Sequence, residues 1–125
     1  MIDLGLIDYA ECWALQNKFA AEVEGGHALE TLLLLEHPHT YTFGRSGGRD
    51  HVLISEDDLK ERGISTYDVD RGGDITYHGP GQVVAYPVIN LRNYGERLNY
   101  GGYVRTLERA LIATLAELGI SSHPL

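Results

Sequence analysis

Two glycine pairs bracket one short strand-forming run in Val69–Tyr86, VDRGGDITYHGPGQVVAY. This constrains the fold more than any other feature of the chain. Gly72-Gly73 precede Asp74–His78, and Gly79-Pro80-Gly81 follow it. Glycine reaches positive φ without steric cost and lets another backbone or a ligand come close. The three-residue join to Gln82–Asn90 has no room for a crossover helix. These two strands are therefore expected to be antiparallel neighbours. Pro87 places its strand at an edge or a bulge, because proline donates nothing to a ladder. The segment is open to two readings. It is either a cradle for an elongated ligand or a tight hairpin with glycines at both ends. It matches neither the dinucleotide fingerprint nor the P-loop, both of which need a strand–loop–helix setting.

The rest of the chain supplies helices on either side. Asp8 caps the free amides of a helix start, with Glu11 three residues on expected to reach back in a capping box. Cys12, Leu15, Phe19 and Val23 form its apolar stripe, and Gly25-Gly26 its end. Thr31–Leu35 reads as a strand buried on both faces, broken by Pro38. Tyr41–Phe43 is a second strand, followed by a Gly/Arg loop over Gly44–Asp50. Ser55 with Asp58 opens a short helix that Gly63 stops, and Ile64–Val69 is a further strand. Asn99 or a neighbouring residue opens a last helix. There Val104, Leu107, Leu111, Leu115 and Leu118 predict a core-facing stripe, with Gly119 at its end. The order predicts an α+β fold with a mixed, mainly antiparallel sheet flanked by helices.

Composition narrows the chemistry. The 125 residues carry 10 Lys+Arg against 18 Asp+Glu, a net charge of −8. A basic nucleic-acid face is not expected on that balance. Arg92, Arg97 and Arg105 read as ordinary surface groups. The one cysteine, Cys12, excludes a disulfide framework. It lies between Glu11 and Trp13 on an amphipathic helix, so it reads as a packed, inert thiol. His37-Pro38-His39 and His51 offer three imidazoles without further ordered ligands, and no metal centre is expected. The opening residues form no signal peptide, and the longest apolar run, Leu32–Leu35, is far too short to span a membrane. A cytoplasmic protein is the default.

The run Arg71-Gly72-Gly73-Asp74-Ile75-Thr76-Tyr77-His78-Gly79-Pro80-Gly81-Gln82 resembles the signature of the lipoyl(octanoyl) transferase family. Asp3-Leu4-Gly5-Leu6 with Tyr9 is similar to that family's opening. Leu33-Leu34-Leu35-Glu36-His37-Pro38 with Thr42-Phe43-Gly44-Arg45 is similar to its second block, and Leu115–Ile120 to a later helix end. The resemblance implies the fold of biotin and lipoate protein ligases, with residues 1–125 as the N-terminal part of one octanoyltransferase catalytic domain, truncated at the C-terminus. It implies octanoyl transfer from acyl carrier protein to a lysine of lipoyl domains, those of 2-oxoacid dehydrogenases and the glycine-cleavage H protein. Arg71, Gly72, Gly73, Asp74, Ile75, Thr76, Tyr77 and His78 would form part of the octanoyl site. No metal, nucleotide or organic cofactor is implied. The family's thioester-forming cysteine, in a Pro-Cys-Gly setting, and its activating lysine have no counterpart here, so no catalytic residue is expected in this chain. Cys12, Lys18 and Lys60 do not match them. Arg45, Arg49 and Arg71 would give an acidic carrier a local basic approach. Two alternatives stand beside this reading. One is a non-catalytic acyl-binding half that works with a separate C-terminal half. The other is an ATP-dependent lipoate or biotin ligase.

Overall fold

The computed structural model describes residues 1–94 and 99–124. Arg97 lies outside the described residues. The chain forms two compact units, Met1–Ile89 and Asn90–Leu125.

In the first unit, strand β1 (Ile2–Leu6) is followed by helix α1 (Tyr9–Glu24) and strand β2 (Thr31–Glu36). The Asp8 carboxylate accepts the Ala10 and Glu11 amides and fixes the start of α1. The predicted stripe packs as expected. Cys12 is fully buried with Leu33 and Leu35, and Phe19, Ile2, Leu4 and Val84 close around them. Leu33 and Leu35 are buried while Leu32 and Leu34 are half-buried, so β2 has one fully covered face rather than two. Strand β1 is a finding beyond the sequence reading. It pairs parallel to β2 through Ile2↔Leu33 and Asp3↔Leu34.

The single expected sheet is two. Strands β3 (Thr40–Phe43), β4 (Ser65–Asp68), β5 (Ile75–His78) and β6 (Val84–Val88) divide between them. One sheet has the order β1-β2-β6 and the other β4-β3-β5. In each, the central strand has one parallel and one antiparallel neighbour. The expected β5–β6 hairpin is therefore not formed. The reason lies in the turn. The Gln82 amide donates to the Gly79 carbonyl at 3.0 Å, with Pro80 and Gly81 (φ +85°) between them. That is a type II turn, whose twist splays flanking strands instead of pairing them. The Gly81 amide donates to Glu36 Oε2 at 2.6 Å, which ties the turn to the end of β2. β6 then joins β2 as an edge strand, and Pro87, opposite Leu32, is placed where proline is tolerated.

Helix α2 (Glu56–Glu61) has the full reciprocal box expected of Ser55 and Asp58. The second unit holds a 3-10 turn, Leu91–Tyr94, and helix α3 (Tyr100–Glu117), whose start is capped by Asn99 through the Gly102 amide. Gly119 takes φ +77°, as its place after the helix predicts. Of the predicted stripe, Leu107 and Leu115 are half-buried. Val104, Leu111 and Leu118 are exposed, and α3 has no buried residue.

Candidate functional site

The glycine-rich run lies against a second glycine loop. The Gly44 amide donates to the Asp74 carbonyl at 3.1 Å, Arg45 to Arg71 at 3.0 Å, and Ser46 to Gly73 at 3.1 Å. Three backbone bonds thus zip residues 44–46 onto residues 71–74. A side chain at Gly44 would meet Arg71 Nη1 at 2.9 Å and the Gly72 carbonyl at 3.0 Å, with the Gly73 carbonyl closer still. Gly73 takes φ +84°, whereas Gly72 has open space around it. Arg71 locks the zip. Its Nη2 donates to the Thr42 carbonyl at 2.7 Å and to Thr42 Oγ1 at 3.0 Å, and its Nη1 to the Gly72 carbonyl at 3.0 Å. Asp74 is held by His51 Nδ1 at 2.7 Å.

Register assigns the faces of β5. Ile75 lies opposite Phe43 and Tyr77 opposite Tyr41, so these four share one face of the sheet. Thr76 and His78 lie on the other, opposite Thr42 and Thr40. Tyr67, beside Thr42 on β4, shares that second face. Of the eight candidate residues, Ile75, Thr76 and His78 are half-buried, Tyr77 is exposed, and Gly72, Gly73 and Asp74 form the exposed rim. Gly79 leaves room for the Tyr77 ring, whose hydroxyl a Cβ there would strike.

His78 ends β5 within an aromatic cluster that sequence periodicity could not foresee. Tyr9 stacks on Tyr67 at 5.0 Å and on His78 at 5.9 Å between ring centroids. His37 meets Tyr9 at 5.1 Å and the edge of His78 at 5.5 Å. His37 is fully buried. Its Nδ1 lies 2.8 Å from the Ile7 carbonyl and its Nε2 lies 3.2 Å from the Tyr86 hydroxyl. A carbonyl only accepts, so Nδ1 carries the proton and Nε2 accepts from Tyr86. The cluster joins the start of α1, the ends of β2 and β5, and strands β4 and β6. Only Tyr9, His37 and His78 attracted notice in the sequence, each for a separate reason. Tyr67 and Tyr86 carried no local signal.

Burial favours the neutral form of His78 and of the three tyrosines. Burial, reinforced by His37, holds His78 below the ordinary histidine range. Burial raises the hydroxyls of Tyr9, Tyr67 and Tyr86, most strongly Tyr86. Burial also raises the Cys12 thiol, whose Sγ lies 3.4 Å from Gln16 Nε2. A thiol so placed is a poor nucleophile.

The expected basic approach is largely neutralised. Arg49 pairs with Asp68 at 3.0 Å and Glu56 at 3.5 Å, and covers the Phe43 ring at 4.7 Å. Arg45 pairs with Asp70 at 3.8 Å. Arg71 bonds carbonyls and a hydroxyl instead. The three imidazoles weighed as metal ligands go separate ways, His37 to Ile7 and Tyr86, His39 to Tyr77, and His51 to Asp74. Among the described residues no three His, Cys, Asp or Glu side chains converge on a cation site.

Two mixed three-stranded sheets, with a glycine-zipped loop and an imidazole–tyrosine cluster in the same unit, define an α+β domain. Residues 8–123 match the lipoyl protein ligase A/B catalytic domain, and the chain belongs to that family. It is 47% identical over 119 residues to the octanoyltransferase of Solibacter usitatus, covering 95% of this chain and 53% of that protein. The octanoyltransferase of Acidobacterium capsulatum is 44% identical over 127 residues, covering 98% of this chain and 52% of that protein. That of Chloroflexus aurantiacus is 47% identical over 117 residues, covering 94% and 52%. The chain spans about half the length of the curated relatives it matches.

Proposed function

We propose that residues 1–125 are the N-terminal part of an octanoyltransferase catalytic domain and supply its octanoyl-binding surface. The observation that carries this reading is the zip. Arg71–Asp74 are bonded to Gly44–Ser46, which fixes the loop that leads into β5 and leaves Gly72 open to an approaching chain. Bare backbone at Gly72 and Gly73 lets an acyl chain lie close, at roughly 0.8 kcal/mol per buried CH₂. Ile75 and Tyr77 give the adjoining strand an apolar face. The octanoyl group would arrive as a thioester of acyl carrier protein. It would pass through a cysteine outside these residues to a lysine of a lipoyl domain, in the cytoplasm. Cys12, buried and with its thiol held protonated, takes no part.

The test is transfer. The chain is mixed with octanoyl-acyl carrier protein, a lipoyl domain and the C-terminal half of the Solibacter usitatus relative, and the lipoyl domain is weighed intact. Octanoylation that needs both halves is expected. Octanoylation by this chain alone, or a stable thioester on Cys12, would contradict the assignment. Consumption of ATP with free octanoate would instead favour a ligase.

A further inference from the structure

We propose that His37 is a positioning residue for His78: one buried imidazole, fixed at both nitrogens, sets the ring plane in which β5 presents His78. This rests on the octanoyl-binding reading for its purpose, since His78 ends the strand assigned to the ligand. The geometry stands apart from that reading.

A fully buried imidazole is costly to place unless both nitrogens are satisfied. His37 satisfies both, and its partners lie far apart in the chain. The Ile7 carbonyl, just beyond β1, takes the Nδ1 proton, and the Tyr86 hydroxyl on β6 caps Nε2. The two bonds define the tautomer and leave the ring no free rotation. His78 packs on that fixed ring edge to face, at an interplanar angle of 79°. Tyr9 covers both imidazoles, 5.1 Å from His37 and 5.9 Å from His78. The Nδ1 atom of His78 is buried and has no hydrogen-bond partner. An imidazole with an uncommitted nitrogen depends on packing for its orientation, and His37 provides the hold.

The groups that face His78 are Tyr9 from α1, His37 after β2, Arg71 before β5 and Gln82 beyond the turn. Burial is the largest influence on its titration, followed by His37. Tyr86 bonds His37 directly, at 3.2 Å, and His37 meets His78 edge to face.

The experiment reads both histidines by nitrogen-15 NMR in the intact chain. His37 should carry a proton at Nδ1, as its bond to the Ile7 carbonyl requires. Tyr86→Phe removes one hydroxyl and keeps the ring. It should release His37 and move the His78 midpoint up toward the ordinary value near 6.5. His37→Asn keeps a donor for Ile7, loses the acceptor for Tyr86, and should reproduce that shift without adding to it in the double variant. An unchanged or further lowered His78 midpoint in Tyr86→Phe would overturn the proposal, even if His37→Asn fails to fold. Added octanoyl-pantetheine separates the two claims. If it leaves every resonance of the unaltered chain in place, the octanoyl reading fails, while the Tyr86→Phe shift still decides the role of His37.

Discussion

Alanine at Gly44 should undo the contact between the two glycine loops. The backbone at Gly44 does not need positive φ, so alanine brings no conformational penalty of its own. The cost is steric. The new methyl would lie 2.9 Å from Arg71 Nη1 and 3.0 Å from the Gly72 carbonyl, and nearer still to the Gly73 carbonyl. Arg71 can move, but the two carbonyls are backbone and hold the zip. Overpacking of this kind costs about 1–3 kcal/mol. If the loops part instead, three backbone hydrogen bonds go, each with a net contribution of about 0.5–1.5 kcal/mol. Either route leads to a loss of about 3 kcal/mol, roughly a hundredfold in the folding equilibrium. Urea unfolding followed by Trp13 fluorescence measures the loss, and amide exchange at Arg45 and Ser46 shows whether the zip opened. Gly72→Ala is the control, since nothing lies within 4 Å of its added methyl and its φ is ordinary. It should stay within about 0.5 kcal/mol of the unaltered chain. If Gly44→Ala matched Gly72→Ala in both stability and exchange, the steric argument would be refuted.

Three further outcomes follow from the described side chains. His78 binds a proton less readily folded than unfolded. Its share of the stability is therefore whole above about pH 6.5 and is lost as pH falls through the lower folded value. Urea midpoints across that range should show the slope, and His78→Gln should flatten it. Cys12 should resist a thiol reagent in the folded chain and react on denaturation, while Cys12→Ala should lower stability by about 1 kcal/mol through lost burial. Ser55→Ala removes the hydroxyl bond that most lowers the Asp58 carboxyl and leaves the backbone amide's in place. An NMR titration should find Asp58 returned toward the usual carboxylate range, and α2 less protected.

Local rules made much of this molecule readable in advance. The Asp8, Ser55 and Asn99 caps and the glycines after each helix depend on neighbours a few residues away, and all are found in place. The α1 stripe depends only on period, and it too packs as expected. What failed was pairing. A three-residue join suggested a hairpin, but Pro80 and Gly81 adopt a type II turn that directs β6 to β2. Strand β1 was missed because its five residues, with two polar or glycine positions, give too short a period to register. On the candidate site, glycine density marked Arg71–His78, but nothing local showed that the Gly44 loop is bonded to it. The cluster around His37 links positions far apart in the chain, Tyr9 with His78 and His37 with Tyr86, which no local pattern encodes.

The central claim is that Arg71–His78 receives the octanoyl group. It is tested most directly by titrating the nitrogen-15-labelled chain with octanoyl-pantetheine and following its backbone amides. The account predicts that Gly72, Gly73, Asp74, Ile75 and the residues bonded to them, Arg45 and Ser46, shift together and saturate. Free pantetheine should move them far less. Shifts confined to α3 or to the surface of α1, or equal responses to the two ligands, would contradict it.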